Sequence, residues 1–234
     1  MTEPATDPYF FGAFADNWWG EDSNMKNLAS FQGPRFAYFD KFVDSWTGKK
    51  VLDVGCAGGF TTEFLSARGA LVSGIDPSPN LIAVARAHAA DTGKTIDYQV
   101  GVGEQLPYAD GAFDIVTCVD VLEHVTDPAQ TVREIARVLA PGGIFLYDTI
   151  NRTPISYFMM IVMPEYVMKI VPKGAHAYRD FIKPSEMRGY LSGAGLTQLD
   201  KMRGLTILGQ RKDGSLVTWQ GLDSTSTYMN VAKK

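Results

Sequence analysis

Val51-Leu52-Asp53-Val54-Gly55-Cys56-Ala57-Gly58-Gly59 is followed, twenty-one residues beyond Gly55, by Asp76. An apolar run ends in an acid and a cluster of glycines. A helix-compatible stretch follows at 60–68, and a second apolar run, 70–75, closes on Asp76. The pattern is strand, glycine turn, helix, strand, acid. In such a unit the glycines let the backbone pass close to a ligand, and the acid at the second strand's tip accepts hydrogen bonds from a ribose diol.

The spacing narrows the nucleotide. A dinucleotide fold uses G-x-G-x-x-G to bring amides against a pyrophosphate, whereas this turn reads Gly55-x-x-Gly58-Gly59 with Asp53 two residues before it. A carboxylate there repels phosphate and attracts an ammonium or sulfonium group. The implied ligand is a nucleoside with positive charge and no phosphate, a description that S-adenosylmethionine meets. Asp53, Gly55, Gly58 and Asp76 are its candidate contacts. VLDVGCAGG, GIDPS, FDIVTCVDVLEHV and RVLAPGGIFL, in that order, resemble the successive motifs of class I S-adenosylmethionine-dependent methyltransferases.

A chain of 234 residues, 45% hydrophobic, can bury one substantial core, so one domain with insertions is expected. The net charge of −4 and the lack of a basic cluster argue against nucleic acid as a partner. Cys56 and Cys118, the two cysteines, read as buried reduced thiols of a cytosolic protein. No apolar stretch reaches the roughly twenty residues that span a bilayer.

Residues 1–7 read as a loose tail, and helices are expected at 10–19 and 28–46. Strands at 50–55, 70–76, 95–100, 113–119 and 143–148 alternate with helices at 61–68, 80–92 and 128–139, which means a parallel sheet covered on both faces. The alternation breaks at Asn151. Residues 155–171 are crowded with apolar side chains and interrupted by Pro164; a helix at 184–194 and strands at 198–202 and 225–231 close the chain.

Asp120, Glu123 and His124 follow the fourth strand at i, i+3 and i+4, one face of a helical turn. Two carboxylates and an imidazole suit a divalent ion, with magnesium, manganese and zinc all open on ligand chemistry. The alternative is that the histidine shapes the pocket while the acid approaches the adenine or caps a helix. Trp18 and Trp19 either close over an aromatic substrate or pack helices. His176 is a candidate base or a loop histidine bonded to backbone. Lys173, Arg179 and Lys183 read as a solvated basic face, and His88 has no assigned chemistry.

Asn151-Arg152-Thr153-Pro154, Glu165-Tyr166, Val171-Pro172-Lys173-Gly174-Ala175-His176 and Phe181-Ile182-Lys183-Pro184-Ser185-Glu186 resemble the demethylubiquinol O-methyltransferase family. So do Trp18-Trp19, Gly33-Pro34-Arg35 and Tyr228-Met229, and the resemblance runs from about 9 to 232. It implies a Rossmann-like three-layer α/β sandwich with a seven-stranded, mostly parallel sheet. Residues 1–234 would form a single methyltransferase domain, with 1–47 a helical cap and 153–183 a substrate-side, membrane-facing insertion. It also implies Arg35 on the cofactor's methionine carboxylate, Gly55 as the turn, Asp76 on the ribose and Val119 bordering the cofactor. Eukaryotic members associate an E-x-x-E-H run with a divalent metal; here Asp120, one methylene shorter, stands at the first acid.

The implied function is transfer of a methyl group to a phenolic oxygen of a catechol or quinol acceptor, prenylated or not, as in ubiquinone biosynthesis. Deprotonation would fall to magnesium or another divalent metal on Asp120, Glu123 and His124, or to His124 or His176 alone. The expected location is cytoplasmic, peripheral on the inner membrane face. Two other readings stay open: an O- or N-methyltransferase of secondary metabolism, and a lipid-surface scaffold with a degenerate pocket. The oligomeric state is open.

Overall fold

Val51, Leu52 and Val54 are buried in the first strand, as are Ile115, Val116 and Cys118 in the fourth. Strands buried on both faces need helices on each side, and the chain supplies them. The computed structural model of the protein describes residues 9–20, 23, 25–168, 173–210 and 216–234. The tail 1–7, and 169–172 at the far end of the insertion, lie outside the described residues.

The strands are β1 (Lys50–Val54), β2 (Leu71–Asp76), β3 (Asp97–Val100), β4 (Phe113–Cys118), β5 (Leu139–Ile150), β6 (Thr197–Gln198), β7 (Gly204–Gln210), β8 (Leu216–Gly221) and β9 (Thr227–Lys233). Seven form one sheet in the order β3-β2-β1-β4-β5-β9-β6. Only β9 runs against its neighbours, pairing antiparallel with both β5 and β6. The order reverses between β1 and β4, so a crevice opens at their carboxyl ends.

Helices α3 (Phe60–Ser66), α4 (Pro79–Asp91) and α5 (Pro128–Val138) follow β1, β2 and β4. Both α4 and α5 begin with proline after a capping side chain: Ser78 Oγ accepts the Leu81 N–H and Asp127 Oδ1 that of Gln130. On one face Val132 and Ile135 of α5 pack with Met187 and Leu191 of α7 (Pro184–Gly193). On the other, Phe36 and Phe39 pack with Leu65, Ile115 and Leu146.

Several expected bounds move. The stretch at 28–46 is two short helices, α1 (Lys26–Ser30) and α2 (Gln32–Phe39), and Trp46 lies in a turn with its indole N–H on Asp40. The first aromatic run winds as a tighter 3₁₀ segment, Phe10–Asn17; aromatic residues are indifferent α-helix formers. At 198–202 only Gln198 is in a strand. The chain peels off β9 to form the separate β7–β8 hairpin, which alternation did not reveal.

Pro164 does not interrupt the insertion. After α6 (Pro154–Tyr157), residues Phe158–Val167 form one wide helix, in which the Met168 N–H reaches Met163 O five residues back. The chain then returns to the sheet, where the Ile182 N–H donates to Ile150 O at 2.9 Å. Glu186 accepts the Lys183 N–H and holds Arg152, so the FIKP-x-E motif builds the start of α7.

Candidate active site

Gly55, Asp76 and Asp120 all lie at carboxyl ends of parallel strands. Gly55 has φ +74°, a left-handed conformation that favours glycine. A Cβ there would stand 2.4 Å from Val121 Cγ2, so the turn has no room for a side chain. Ala57 turns with φ +45° and donates its N–H to Asp76 Oδ2, while the Ser78 N–H donates to Oδ1, both at 2.9 Å. Asp76 thereby ties the glycine turn to the tip of β2. Burial pushes its carboxyl up to about 6, against those two N–H donors.

Asp53 is fully enclosed beneath the turn. Oδ1 accepts from Thr117 Oγ1 at 2.6 Å, and Oδ2 is buried with no partner. Burial raises this carboxyl to about 7, with Thr117 and the Arg35 charge pulling the other way. Arg35, 2% exposed, donates from Nε to Asp148 Oδ2 and from Nη2 to Asp120 Oδ2. Its Nη1 is buried and unpartnered. An orphaned acceptor thus remains near the end of β1 and an orphaned donor on α2. Val119 is buried in the core at the end of β4, beside Leu146 and Met229.

The expected metal set does not converge. Asp120 takes φ +57° and residues 122–124 form a turn, so helical spacing does not apply. The Asp120 conformation is held by its N–H on Asp148 Oδ1 at 2.7 Å and by its carboxylate on Arg35; aspartate tolerates this region better than most side chains. Glu123 is buried and accepts from Thr149 Oγ1 at 2.7 Å; burial, then the Asp120 charge, raises it to about 8. Among the described residues no three of His, Cys, Asp and Glu form a group able to hold a metal ion. These donors do not fit a divalent ion.

His124 meets His176 instead, with ring centroids 5.2 Å apart, while Phe11 packs edge-on against His124 at 5.5 Å. Burial, then the neighbouring His176, lowers His124 to about 3, so it is neutral at physiological pH.

The two tryptophans serve the glycine turn. The indole of Trp18 lies 2.2 Å from where a Gly58 Cβ would stand and stacks on Phe60. Trp19 donates to Gly58 O at 2.8 Å and stacks on His88 at 3.6 Å with rings parallel within 2°. His88 in turn meets Glu63 at 2.6 Å. Two further participants went unassigned at the level of sequence. Asp148, an acid close to the carboxyl end of β5, carried a signal that position alone could have exposed. Thr117, inside a buried strand, carried none.

A family model described as "Methyltransferase domain" matches residues 52–147. The ubiquinone biosynthesis O-methyltransferase of Xanthomonas axonopodis pv. citri (strain 306) is 41% identical over 196 residues, 83% of this chain and 81% of that protein. The protein of the same name from Marinobacter nauticus is 42% identical over 199 residues, covering 84% and 83%. The solved YcgJ protein of Bacillus subtilis superimposes with TM-score 0.65 at 19% identity, over 86% of this chain and 98% of its own, a likeness of fold.

The chain belongs to the ubiquinone biosynthesis O-methyltransferase family and is an S-adenosylmethionine-dependent O-methyltransferase. The residues present fit that cofactor. Unpartnered Asp53 Oδ2 suits its cationic end, unpartnered Arg35 Nη1 its carboxylate, and Asp76 its ribose diol. These groups also speak against a degenerate pocket.

Two tests follow from this geometry. Asp76→Ala removes a charge-assisted acceptor pair worth about 1.5–3 kcal/mol, so the Kd for S-adenosylmethionine should rise about 10- to 150-fold. Calorimetry on protein with a native-like melting curve reads it, and a change within about twofold contradicts the ribose assignment. The second test is pH. Asp53 and Asp76 have folded pKa values raised to about 7 and about 6. Their contribution to apo stability is therefore full below the unfolded value and lost as pH rises through the folded one. A cationic ligand favours the ionised forms, so affinity should rise between pH 5.5 and 7.5, with proton release near about pH 6.5. Calorimetry in buffers of different ionisation enthalpy counts those protons; a flat profile with no release means both acids are already ionised.

Proposed function

We propose that the acceptor is a phenolic hydroxyl of a catechol or quinol ring, the chemistry that ubiquinone biosynthesis requires. The histidine pair where the insertion meets the end of β4 is the observation that carries this reading. Methyl transfer is an in-line displacement at a sulfonium carbon, so the protein chiefly aligns nucleophile and methyl and keeps water out. A phenol is a poor nucleophile until it loses its proton, and a positioned imidazole is the usual acceptor. His124, held far down, keeps a proton poorly, which favours His176 as the acceptor and His124 as its neighbour. Asp120 then acts through Arg35 rather than on the substrate. The names and identity of the relatives support the same acceptor class.

Turnover tests this directly. Purified enzyme with S-adenosylmethionine should methylate prenylated catechols, and mass spectrometry should find the added methyl on a ring oxygen. Methyl transfer to an amine in preference to every catechol of a panel would overturn the reading.

We further propose that the insertion rests on an anionic membrane surface. Ile155, Tyr157, Phe158 and Met159, then Tyr166, Val167 and Met168, are exposed large apolar residues within one short segment. Among the described residues no helix is long and apolar enough to cross a membrane, so contact would be interfacial. Exposed Lys173 and Arg179 lie close in sequence and suit anionic headgroups. Ile161 takes no part, since it is buried against Ile150 and Phe181. Replacing Ile155, Phe158 and Met159 together by Ser should cut co-sedimentation with anionic vesicles several-fold while leaving the melting temperature unchanged. Equal pelleting of mutant and wild type, or none by either, sinks the proposal.

A further inference from the structure

Glu165 is the acid of an otherwise apolar stretch, FMMIVMPEYV, and its residue is only 2% exposed. An ionisable group so enclosed needs hydrogen-bond partners. It finds them in the returning loop: Oε2 accepts the Gly174 N–H at 2.8 Å and Oε1 the His176 N–H at 3.2 Å. Oε1 also stands 3.6 Å from Nδ1 of His176, a buried nitrogen without a hydrogen-bond partner. Around the His176 ring lie Glu165 from the wide helix, His124 from the turn after β4, and Phe181 at 6.1 Å as an apolar wall. Among the described residues, the titratable groups against it are the Glu165 carboxylate and the His124 imidazole. Carboxylate, imidazole and imidazole form a row from the inside of the insertion to the end of β4.

We infer that Glu165 is a positioning residue for deprotonation of the acceptor. It pins the loop that carries His176, sets that imidazole against His124, and faces the charge that His176 gains with the proton. The inference rests on the phenolic acceptor proposed above. In the step, the phenol O–H proton passes to an imidazole nitrogen of His176. An oxygen lone pair forms the new O–CH3 bond as the C–S bond breaks. The electrons of that bond go to sulfur, leaving the neutral thioether S-adenosylhomocysteine, and the imidazolium later releases its proton to solvent. A carboxylate behind the imidazole fixes its ring, as an orienting third group does in other nucleophile–base pairs.

The test compares two acceptors: a prenylated catechol and its ring-nitrated analogue, which is already ionised at the assay pH. On the ordinary catechol, Glu165→Gln should lower kcat about 10- to 100-fold, within the range of general base catalysis. The KM for S-adenosylmethionine should stay unchanged. On the nitrated acceptor the same variant should run within about twofold of wild type, because no proton remains to be removed. His176→Ala should show the same contrast. Equal losses on both acceptors would mean a merely structural role and would overturn the inference, as would no loss on either. Should Glu165→Gln fail to fold, Glu165→Asp keeps the charge one methylene further back, and the same ratio of acceptors decides. A wild-type enzyme active on neither catechol overturns the phenolic reading and this inference with it. A wild type active on both, with an unchanged ratio in the variants, overturns only the role of Glu165.

Discussion

A guanidinium with almost no access to water has to be paired, and the Arg35 pairing organises everything around the site. Desolvating such a charge costs several kcal/mol, which only well-placed counter-charges offset. Arg35 comes from α2, Asp148 from the end of β5 and Asp120 from the residue after Val119. One ion triad therefore locks the N-terminal helices to two adjacent strand ends. Asp148 does double duty, since its second oxygen takes the Asp120 N–H. That bond holds the left-handed turn by which the chain leaves β4 and sends Glu123 and His124 to separate partners. The same triad that closes the cap removes Asp120 from any metal set.

The site also gathers carboxyls that burial has pushed upward. Asp53, Asp76 and Glu123 are all raised, each with burial as the first cause. Arg35 is the cation that opposes burial at Asp53 and Asp148. A cationic cofactor brings the charge that this group lacks. The sign of the ligand, read from one aspartate ahead of the glycine turn, thus has a counterpart in the electrostatics of the whole pocket. Glu123 differs from the other two: it is deep, bonded to Thr149 and protonated near neutrality, which suits a structural hydrogen bond better than a ligand or base.

The parallel sheet and its cofactor turn were legible because their signals are local. A strand buried on both faces is an apolar run, a turn with positive φ shows as glycine, and Ser78-Pro79 and Asp127-Pro128 announce helix starts. The places of Asp53, Gly55 and Asp76 along β1, its turn and β2 followed from the order of that unit. The metal set failed on a backbone assumption: i, i+3 and i+4 share a face only in a helix, and Asp120 is left-handed because of contacts with residues 28 and 85 positions away. Pairings of that kind leave no periodic trace. The β7–β8 hairpin pairs only with itself, in a two-stranded sheet apart from the parallel one, so the alternation of strand and helix gave no sign of it. Trp18 and Trp19 had two open roles, and the choice between them lay in Gly58, whose missing side chain is the space an indole fills.

The N-terminal segment links the two halves of the chemistry. Trp18 and Trp19 sit on the glycine turn and α4, a Cβ on Gly12 would fall 2.6 Å from Ser78 Oγ, and Phe11 packs on His124. The insertion reaches the same histidine from the other direction through His176. Two covers from distant parts of the sequence therefore meet over one imidazole, between the cofactor turn and the apolar surface of the insertion. A displacement at a sulfonium carbon gains from exclusion of water, which would compete as nucleophile and spread the developing charge. On the acceptor chemistry proposed above, a tail-bearing acceptor arriving along the insertion would place its ring at that junction. Phe11, Trp18 and Trp19 thus tie the segment ahead of the sheet to the glycine turn and to His124 through apolar contacts and one indole hydrogen bond.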